Sequence, residues 1–337
     1  MEELYTKDGW LNFEYLDSKN CWLNVILGHR QIGKTYGTLK MLLDGKRKFI
    51  YLRRTREEMD TVASNDLISP FNPMAKEGHV VTIQKAGNVW DIRENDESIG
   101  FGLGLPAVAG LRGFSGDAFT DLLFDEFIPE KGVRVLKTEA DTFLNAYVTI
   151  NGNREMEGRP PLRVWLLANP NNINSQILSA LGLSDRVITM TDRDEEYYCN
   201  NGVQIFRPKS AQVTEAHRGE AFFEHLLQTN SAERFLGMAL DNKFAYDETM
   251  LVGKLPMNGL KPICGYGDKM YFWERNDGYV YVCRAPHKKA HYENTEYDAE
   301  RFRDRYLWMP DYYRAKRIKF ADPLILSRFK EIFKITY

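Results

Sequence analysis

The chain has 337 residues, 43% of them hydrophobic, which is enough for two domains, or one large one, with a substantial core. The net charge of −2 is unevenly distributed. Residues 284–337 carry 13 Lys and Arg against 8 acidic residues, whereas the rest of the chain carries 32 against 39. A basic end on an acidic body indicates a polyanionic partner, although a solvated charged surface explains it about as well.

The four cysteines, at positions 21, 199, 264 and 283, are far apart and form no C-x-x-C motif. We therefore expect neither a disulfide framework nor a zinc site, and a reducing cytosol fits this chain. The acidic N-terminus lacks the apolar core of a signal peptide. No apolar run is long enough to span a bilayer.

Residues 28–35 read G-x-x-x-x-G-K-T, the pattern of a phosphate-binding loop. The apolar run 22–27 before it predicts a buried strand, and residues 36–43 after it have helical spacing. The members of the loop are Gly28, His29, Arg30, Gln31, Ile32, Gly33, Lys34 and Thr35. The alternative is a strand-to-helix turn that contains glycine and binds nothing.

The loop predicts a nucleoside triphosphate site. Its backbone N–H groups and the positive end of the following helix would surround the phosphates. Lys34 would reach the β- and γ-phosphates, and the Thr35 hydroxyl would bind Mg²⁺.

Further elements follow along the chain with α/β alternation. A capping box of Thr55 and Glu58 predicts the start of a helix. Strands are predicted at 48–52, 80–84, 89–93, 98–103, 121–124, 164–168 and 187–190, and a helix at 138–148.

The character of the sequence changes near residue 195. Residues 212–237 look helical, and 263–266, 270–274 and 279–284 form a predicted meander with a D-G turn at Asp277. We therefore predict an ATPase domain at 1–195, a helical linker at 196–235 and a small α+β domain at 236–337.

An apolar strand ends in Asp125 and Glu126, which supply the second half of the predicted site. Asp125 would orient Mg²⁺ through its water shell, and Glu126 would polarise a water for in-line attack on the γ-phosphate. An adjacent Asp-Glu pair is typical of motor ATPases, which predicts an α/β P-loop NTPase of the additional-strand, catalytic-glutamate type that uses ATP. The alternative is a strand that ends in two acids by chance.

Asn169 ends the next predicted strand, where ligands lie in a doubly wound sheet, and would sense the γ-phosphate or hold the attacking water. The alternative is that Asn169 only begins the Pro170 turn. Cations from a neighbouring subunit could stabilise the charge that builds on the phosphates. The candidates are Arg53, Arg54, Arg112, Lys131 and Arg154, and each could instead be an ordinary surface residue.

Several stretches resemble the phi29-like bacteriophage DNA packaging ATPase family, which is related to terminase large subunits. The specific ones are D-E-F-I-x-E-K at residues 125–131 and L-D-N-x-F at residues 240–244. The resemblance also takes in residues 25–35, 49–54, 110–117 and 153–169. It spans most of the first 245 residues, while the rest matches only in length and pattern.

The resemblance implies a homopentameric ring ATPase in the host cytoplasm, placed transiently at the portal of a prohead. It would drive double-stranded DNA inward while docked on packaging RNA. Lys131 and Arg154 would then reach the adjacent subunit's nucleotide, with Arg112 at the same interface. Arg53, apart from the resemblance, is a candidate for binding the nucleotide.

The resemblance also implies that the C-terminal domain is a degenerate RNase H-like nuclease that binds nucleic acid without cutting it. Its basic, aromatic tail suits phosphate contacts, or is simply a solvated face. Two alternatives stay open. One is a terminase-like enzyme with an active nuclease, for which Asp268, Asp277, Asp298 and Asp304 are candidates by residue type only. The other is a P-loop switch protein that is not a motor.

Overall fold

The computed structural model describes residues 3–64, 68–111, 116–129, 138–170, 175–209, 216, 218–229, 236, 250–252 and 258–335. The chain divides into two compact units, Met1–Ala245 and Tyr246–Tyr337. The first unit holds the phosphate-loop sequence and the second holds the basic tail.

The first unit is built on a nine-stranded mixed sheet. Its strands are β1 (Leu23–Leu27), β2 (Phe49–Arg53), β3 (Val81–Ala86), β4 (Val89–Glu94), β5 (Glu97–Gly104), β6 (Asp121–Asp125), β7 (Arg163–Ala168), β8 (Tyr197–Asn200) and β9 (Val203–Phe206). Its described helices are α1 (Phe13–Ser18), α2 (Lys34–Asp44), α3 (Arg56–Ser64), α4 (Glu139–Asn151), α5 (Gln176–Ala180), α6 (Ser184–Asp192) and α7 (Ala221–Gln228).

The strand order is β3-β4-β5-β2-β6-β7-β1-β9-β8. The six neighbouring strands β5-β2-β6-β7-β1-β9 run parallel to one another. At one edge of the sheet β3-β4-β5 pair antiparallel, and at the other edge β8 pairs antiparallel with β9. Strands β1 and β6 are buried at every position, as central parallel strands covered on both faces must be. This arrangement confirms the predicted α/β class.

Two sequence-based predictions differ from the structure. Residues 187–190 were predicted as a strand, which is wrong, because they lie inside helix α6. A short apolar run does not distinguish a strand from a buried helix, and here Thr189 and Thr191 donate their hydroxyls to carbonyls four residues back.

The second difference concerns the helical linker expected at 196–235. Strands β8 and β9 occupy the start of that range, and β9 pairs in parallel with β1, so residues 197–206 extend the first sheet. Helix α7 lies in the same range. Much of the remainder lies outside the described residues.

The second unit contains a five-stranded sheet in the order β13-β10-β11-β12-β14. Its strands are β10 (Leu260–Tyr266), β11 (Met270–Arg275), β12 (Val280–Cys283), β13 (His291–Tyr292) and β14 (Ile318–Phe320). Its helices are α8 (Glu296–Arg305), α9 (Met309–Arg314) and α10 (Pro323–Ile332). The predicted meander is confirmed as β10-β11-β12, and Gly278 takes φ +81° in the predicted turn.

An aromatic core holds the second unit together. Phe302 of α8 and Phe329 of α10 both pack against Phe272 of β11, with ring centroids 5.5 and 6.3 Å away. Asp322 begins α10 by accepting a hydrogen bond from the backbone N–H of Ile325, a typical N-cap. The described part of the chain holds no helix that is both long and apolar enough to cross a membrane.

Candidate nucleotide site

The turn between β1 and α2 lies at the carboxyl ends of the parallel strands, where ligands bind in open α/β sheets. Gly33 precedes α2 with φ +82°, in the left-handed region where a side chain would be strained. The first amides of α2 are therefore at the open end of the loop, where they can bind an anion.

Lys34 lies under this loop and is only 9% exposed. Its Nζ donates to the carbonyl oxygens of Gly28 and His29, at 2.7 and 2.6 Å, and to Asn169 Oδ1 at 3.0 Å. Burial lowers the pKa of Lys34 to about 8, while the charges of Asp125 and Glu126 act in the opposite direction. The ammonium group is thus fixed at the point where β1 and β7 end.

Asp125 ends β6 and is shared by several donors. Thr35 Oγ1 lies 3.1 Å from both of its carboxylate oxygens. Tyr51 donates its hydroxyl to Asp125 Oδ2 at 3.0 Å, and Arg53 Nη1 lies 3.2 Å from the same oxygen. Burial raises the pKa of Asp125, and Arg53 opposes that shift. A hydroxyl beside a carboxylate is a donor set that Mg²⁺ accepts, so these residues fit that ion.

Glu126 follows β6 directly and takes φ +55°, which is rare for a side-chain-bearing residue. Its side chain is 52% exposed, and Glu126 Oε2 accepts a hydrogen bond from Arg53 Nη2 at 2.5 Å. Asp125 and Glu126 therefore share one guanidinium group, although only the first is buried.

These groups meet in one cleft of about 270 Å³. It is lined by Arg30, Gln31, Gly33, Lys34, Thr35, Tyr36, Asp125, Glu126, Ala168 and Asn169. The structure thus brings together the loop, the two acids and Asn169, which are separated by up to 141 positions in the sequence. His29 and Ile32, also members of the loop, are buried beneath it.

Arg154 lies in a different environment from these residues. It is 4% exposed, and its Nη2 donates to the backbone carbonyls of Gly116 at 2.7 Å, Asp117 at 3.3 Å and Phe119. Arg154 therefore closes the turn that leads into β6. Arg112 and Lys131, the other predicted cations at a subunit interface, lie outside the described residues.

Two contacts of residues near the site do not follow from the sequence pattern. Tyr51 was treated only as part of a strand, and no spacing rule marks it as a partner of Asp125 across 74 positions. Arg54, a candidate for a cation supplied by a neighbouring subunit, is 1% exposed and pairs with Glu139 of α4 at 2.7 Å.

The acids proposed for an active nuclease are dispersed. Asp277 pairs with Arg275 in the hairpin turn, and Asp298 pairs with Arg301 at 3.1 Å. Within the described residues, no three His, Cys, Asp or Glu side chains are close enough together to hold a metal ion.

Known structures share this fold over nearly the whole chain. A chain of the bacteriophage Phi-29 viral genome packaging motor assembly is 20% identical, with a TM-score of 0.68, and the match covers 97% of this chain and 99% of that one. A chain of the Phi-28 gp11 DNA packaging motor is 16% identical, with a TM-score of 0.63 and coverage of 98% and 100%. The N-terminal domain of the DNA packaging ATPase from bacteriophage phi29 is 22% identical, with a TM-score of 0.48 and coverage of 60% and 97%.

The fold is therefore that of phage DNA packaging motor proteins. The family model for the podovirus DNA encapsidation protein, Gp16, matches residues 5–303, and the chain belongs to this family. The resemblance predicted from the sequence is confirmed. No curated protein matches this chain.

Proposed function

We propose that this DNA packaging ATPase hydrolyses ATP in the cleft between the phosphate loop and the end of β6. The observation that carries the proposal is the convergence of Lys34, Thr35 and Asp125 on one cleft, with Thr35 Oγ1 3.1 Å from the carboxylate. Strand β7 lies between β1 and β6, which supports the additional-strand type of P-loop NTPase.

Each side chain has a task in this reaction. Lys34 would exchange its loop carbonyls for the β- and γ-phosphate oxygens. Thr35 and Asp125 would hold Mg²⁺, which when bound neutralises charge on those oxygens. Asn169, 3.0 Å from Lys34 Nζ, would respond to the γ-phosphate.

Glu126 would be the general base. It is exposed to the cleft, so it can accept a proton from a water placed in line with the γ-phosphate. The hydrogen bond that it accepts from Arg53 Nη2 at 2.5 Å holds the carboxylate in position. Arg53 contacts both Asp125 and Glu126 and would therefore also lie near the nucleotide.

Residues of a neighbouring subunit would complete the site, and Arg154, Lys131 and Arg112 are the proposed donors. For Arg154 this role requires that the guanidinium leave the carbonyls of Gly116 and Phe119. Such an exchange would couple the subunit interface to the turn before β6.

At the level of the assembly, we propose a homopentameric ring at the portal of a prohead that moves double-stranded DNA inward, docked on packaging RNA. Membership of the encapsidation family and the fold shared with a packaging motor chain support this role. The protein would work in the host cytoplasm and join the prohead transiently. The second unit would be a vestigial nuclease-like domain that contacts nucleic acid through cations on and after its helices α8 and α9.

The test is Lys34→Ala, compared with Lys40→Ala on the same helix. Lys40 pairs with Asp44 and Glu77 and is 38% exposed, so it serves as a matched loss of one charge. We expect Lys34→Ala to lose ATP binding and DNA packaging, and Lys40→Ala to retain both. Normal packaging by Lys34→Ala would refute the proposal.

Glu126→Gln separates binding from chemistry. This variant should bind ATP close to normally but lose at least about 100-fold in hydrolysis, the scale for removing a general base. Steady-state turnover in the presence of DNA and proheads measures it. Turnover near the normal rate would show that Glu126 is not the base.

A further inference from the structure

The segment before α1 is a compact loop whose apolar side chains are anchored in the hydrophobic core of the first unit. Leu4, Leu11 and Phe13 are buried, and Tyr5 forms a β-bridge with Leu11. The backbone N–H of Thr6 donates to the carbonyl of Trp10 at 2.8 Å, and the N–H of Trp10 donates to Thr6 Oγ1 at 3.1 Å. The position of Trp10 is therefore set by several independent contacts.

Trp10 is nevertheless 45% exposed, unlike the buried apolar residues around it. Its six-membered ring lies against the phosphate loop, because a Cβ built on Gly33 would be 3.2 Å from Trp10 Cε3. Phe13 packs even more closely against Gly37, since a Cβ there would be 2.2 Å from Phe13 Cδ2. The segment thus runs along the first turn of α2 and holds an open indole face beside the loop.

We propose that Trp10 is the platform on which the base of the bound nucleotide stacks. This inference rests on the proposed function, since it assumes a triphosphate at Lys34. The cleft is lined by charged and polar groups that suit phosphates, whereas a base presents flat apolar faces. The exposed indole of Trp10 lies against Gly33, the residue before the phosphate-binding lysine, and offers a base a flat apolar face there.

Tyr36 is the competing platform because it lines the cleft and is 37% exposed. Its hydroxyl, however, donates to Glu77, which holds the ring on that side of α2. Among the contacts of the described residues, no hydrogen bond holds the indole ring of Trp10 in this way. We therefore assign the base to Trp10 and treat Tyr36 as the comparison.

Calorimetry with the full chain tests this assignment with two ligands, Mg·ATP and Mg·tripolyphosphate, which differ by the nucleoside. The variants are Trp10→Ala, Trp10→Phe and Tyr36→Leu, each checked for an unchanged melting temperature. Trp10→Ala should weaken ATP binding about 10-fold to 100-fold, the scale of losing one base–aromatic stack, and change tripolyphosphate binding less than about twofold. Trp10→Phe should keep most of the affinity for ATP.

The outcomes separate the two hypotheses. If Trp10→Ala weakens both ligands equally, or neither, or if only Tyr36→Leu loses affinity for ATP, the platform is not Trp10, while the phosphate site stands. If the unmodified protein binds neither ligand, the phosphate site itself is refuted. A second readout is tryptophan fluorescence, which ATP should change in the unmodified protein and in Trp308→Phe but not in Trp10→Phe.

Discussion

Lys34 combines two properties that usually exclude each other. It must carry a positive charge to hold phosphate, yet it is almost fully buried, and burial lowers its pKa to about 8. The three oxygens around Nζ compensate for the lost water, but they are the loop's own groups and Asn169. The Lys34 ammonium is therefore held in place to meet an anion at neutral pH.

A pH dependence of nucleotide binding follows from this pKa. Below about pH 8 the ammonium is charged and the dissociation constant of Mg·ADP should be nearly constant. Above that value the free protein loses the proton, so binding must restore it and should weaken by up to tenfold for each pH unit. Calorimetry between pH 6.5 and 9.5 measures this, and constant affinity across the range would contradict it.

Arg154 illustrates how a residue proposed to act on a neighbour can first hold its own subunit together. The guanidinium occupies carbonyls of the turn at Gly116–Ala118 and of Phe119, immediately before β6. That strand ends in Asp125, so the turn held by Arg154 and the acids proposed for catalysis lie at opposite ends of β6.

Arg154→Ala should therefore destabilise the isolated chain, by about 2–3 kcal/mol, because buried carbonyls lose a charged donor. Arg159→Ala is the matched control, since Arg159 is half-buried and pairs with the exposed carboxylates of Asp117 and Glu157. Chemical denaturation of the protein alone measures both. Unchanged stability of Arg154→Ala would indicate that the residue acts only across an interface.

At the level of whole elements, the end of α2 is tied to the antiparallel edge of the first sheet through His79. Its ring nitrogens lie 2.9 Å from Asp44 Oδ1 on α2 and 2.7 Å from Glu94 Oε1 on β4. Asp44 and Glu94 raise the pKa of His79, against a smaller effect of burial. This link connects the helix that begins at the phosphate loop to the edge strands.

The stabilisation from His79 should depend on pH. Because the folded pKa is raised, the contribution is complete below the unfolded value of about 6.5 and disappears as the pH rises through the folded value. His79→Gln should therefore lower the free energy of unfolding by up to about 1 kcal/mol at pH 6 and by less at pH 9. Denaturation at both pH values measures the difference, and an equal or larger loss at pH 9 would be inconsistent with the ion pairs.

Over the whole molecule, the excess of positive charge lies in residues 284–337 of the second unit, and the rest of the chain is acidic. The second unit carries exposed cations on and after its helices α8 and α9, namely Arg301, Arg305, Arg314, Lys316 and Arg317. Two of them are already paired, Arg301 with Asp298 and Arg314 with Asp311. Nucleic acid would have to compete with those acids, so Arg305 and Lys316 are the better candidates for phosphate contacts.

Arg305→Glu and Lys316→Glu should each weaken nucleic-acid binding and reduce the slope of log affinity against log salt by about 1. Lys85→Glu, on exposed strand β3 of the first unit, makes the same charge change as a control. Titrations of double-stranded DNA and of RNA at several salt concentrations measure the slopes. Equal effects of all three variants would mean that only net charge matters.

Local patterns in the sequence were sufficient for much of this protein. The buried strands β1, β6 and β7, the helix after Gly33 and the meander of the second unit all follow from apolar periodicity and turn residues. The phosphate loop and the pair Asp125–Glu126 follow from motifs whose chemistry depends on short spacing. The strand predicted at residues 187–190 was wrong. Four residues of mixed polarity are compatible with either a strand or a helix, and only the surrounding structure distinguishes the two.

The amino-acid sequence alone therefore predicted the family, the α/β class and the residues proposed to bind phosphate, because each prediction used motifs and periodicity among residues close together in the chain. Folding in three dimensions determined that Tyr51 shares Asp125, that Arg53 bridges both acids, that Arg154 is buried and that Trp10 lies beside Gly33. These are contacts between distant segments. Their partners are set by the order of strands in the sheet and the packing of side chains, which no local spacing encodes.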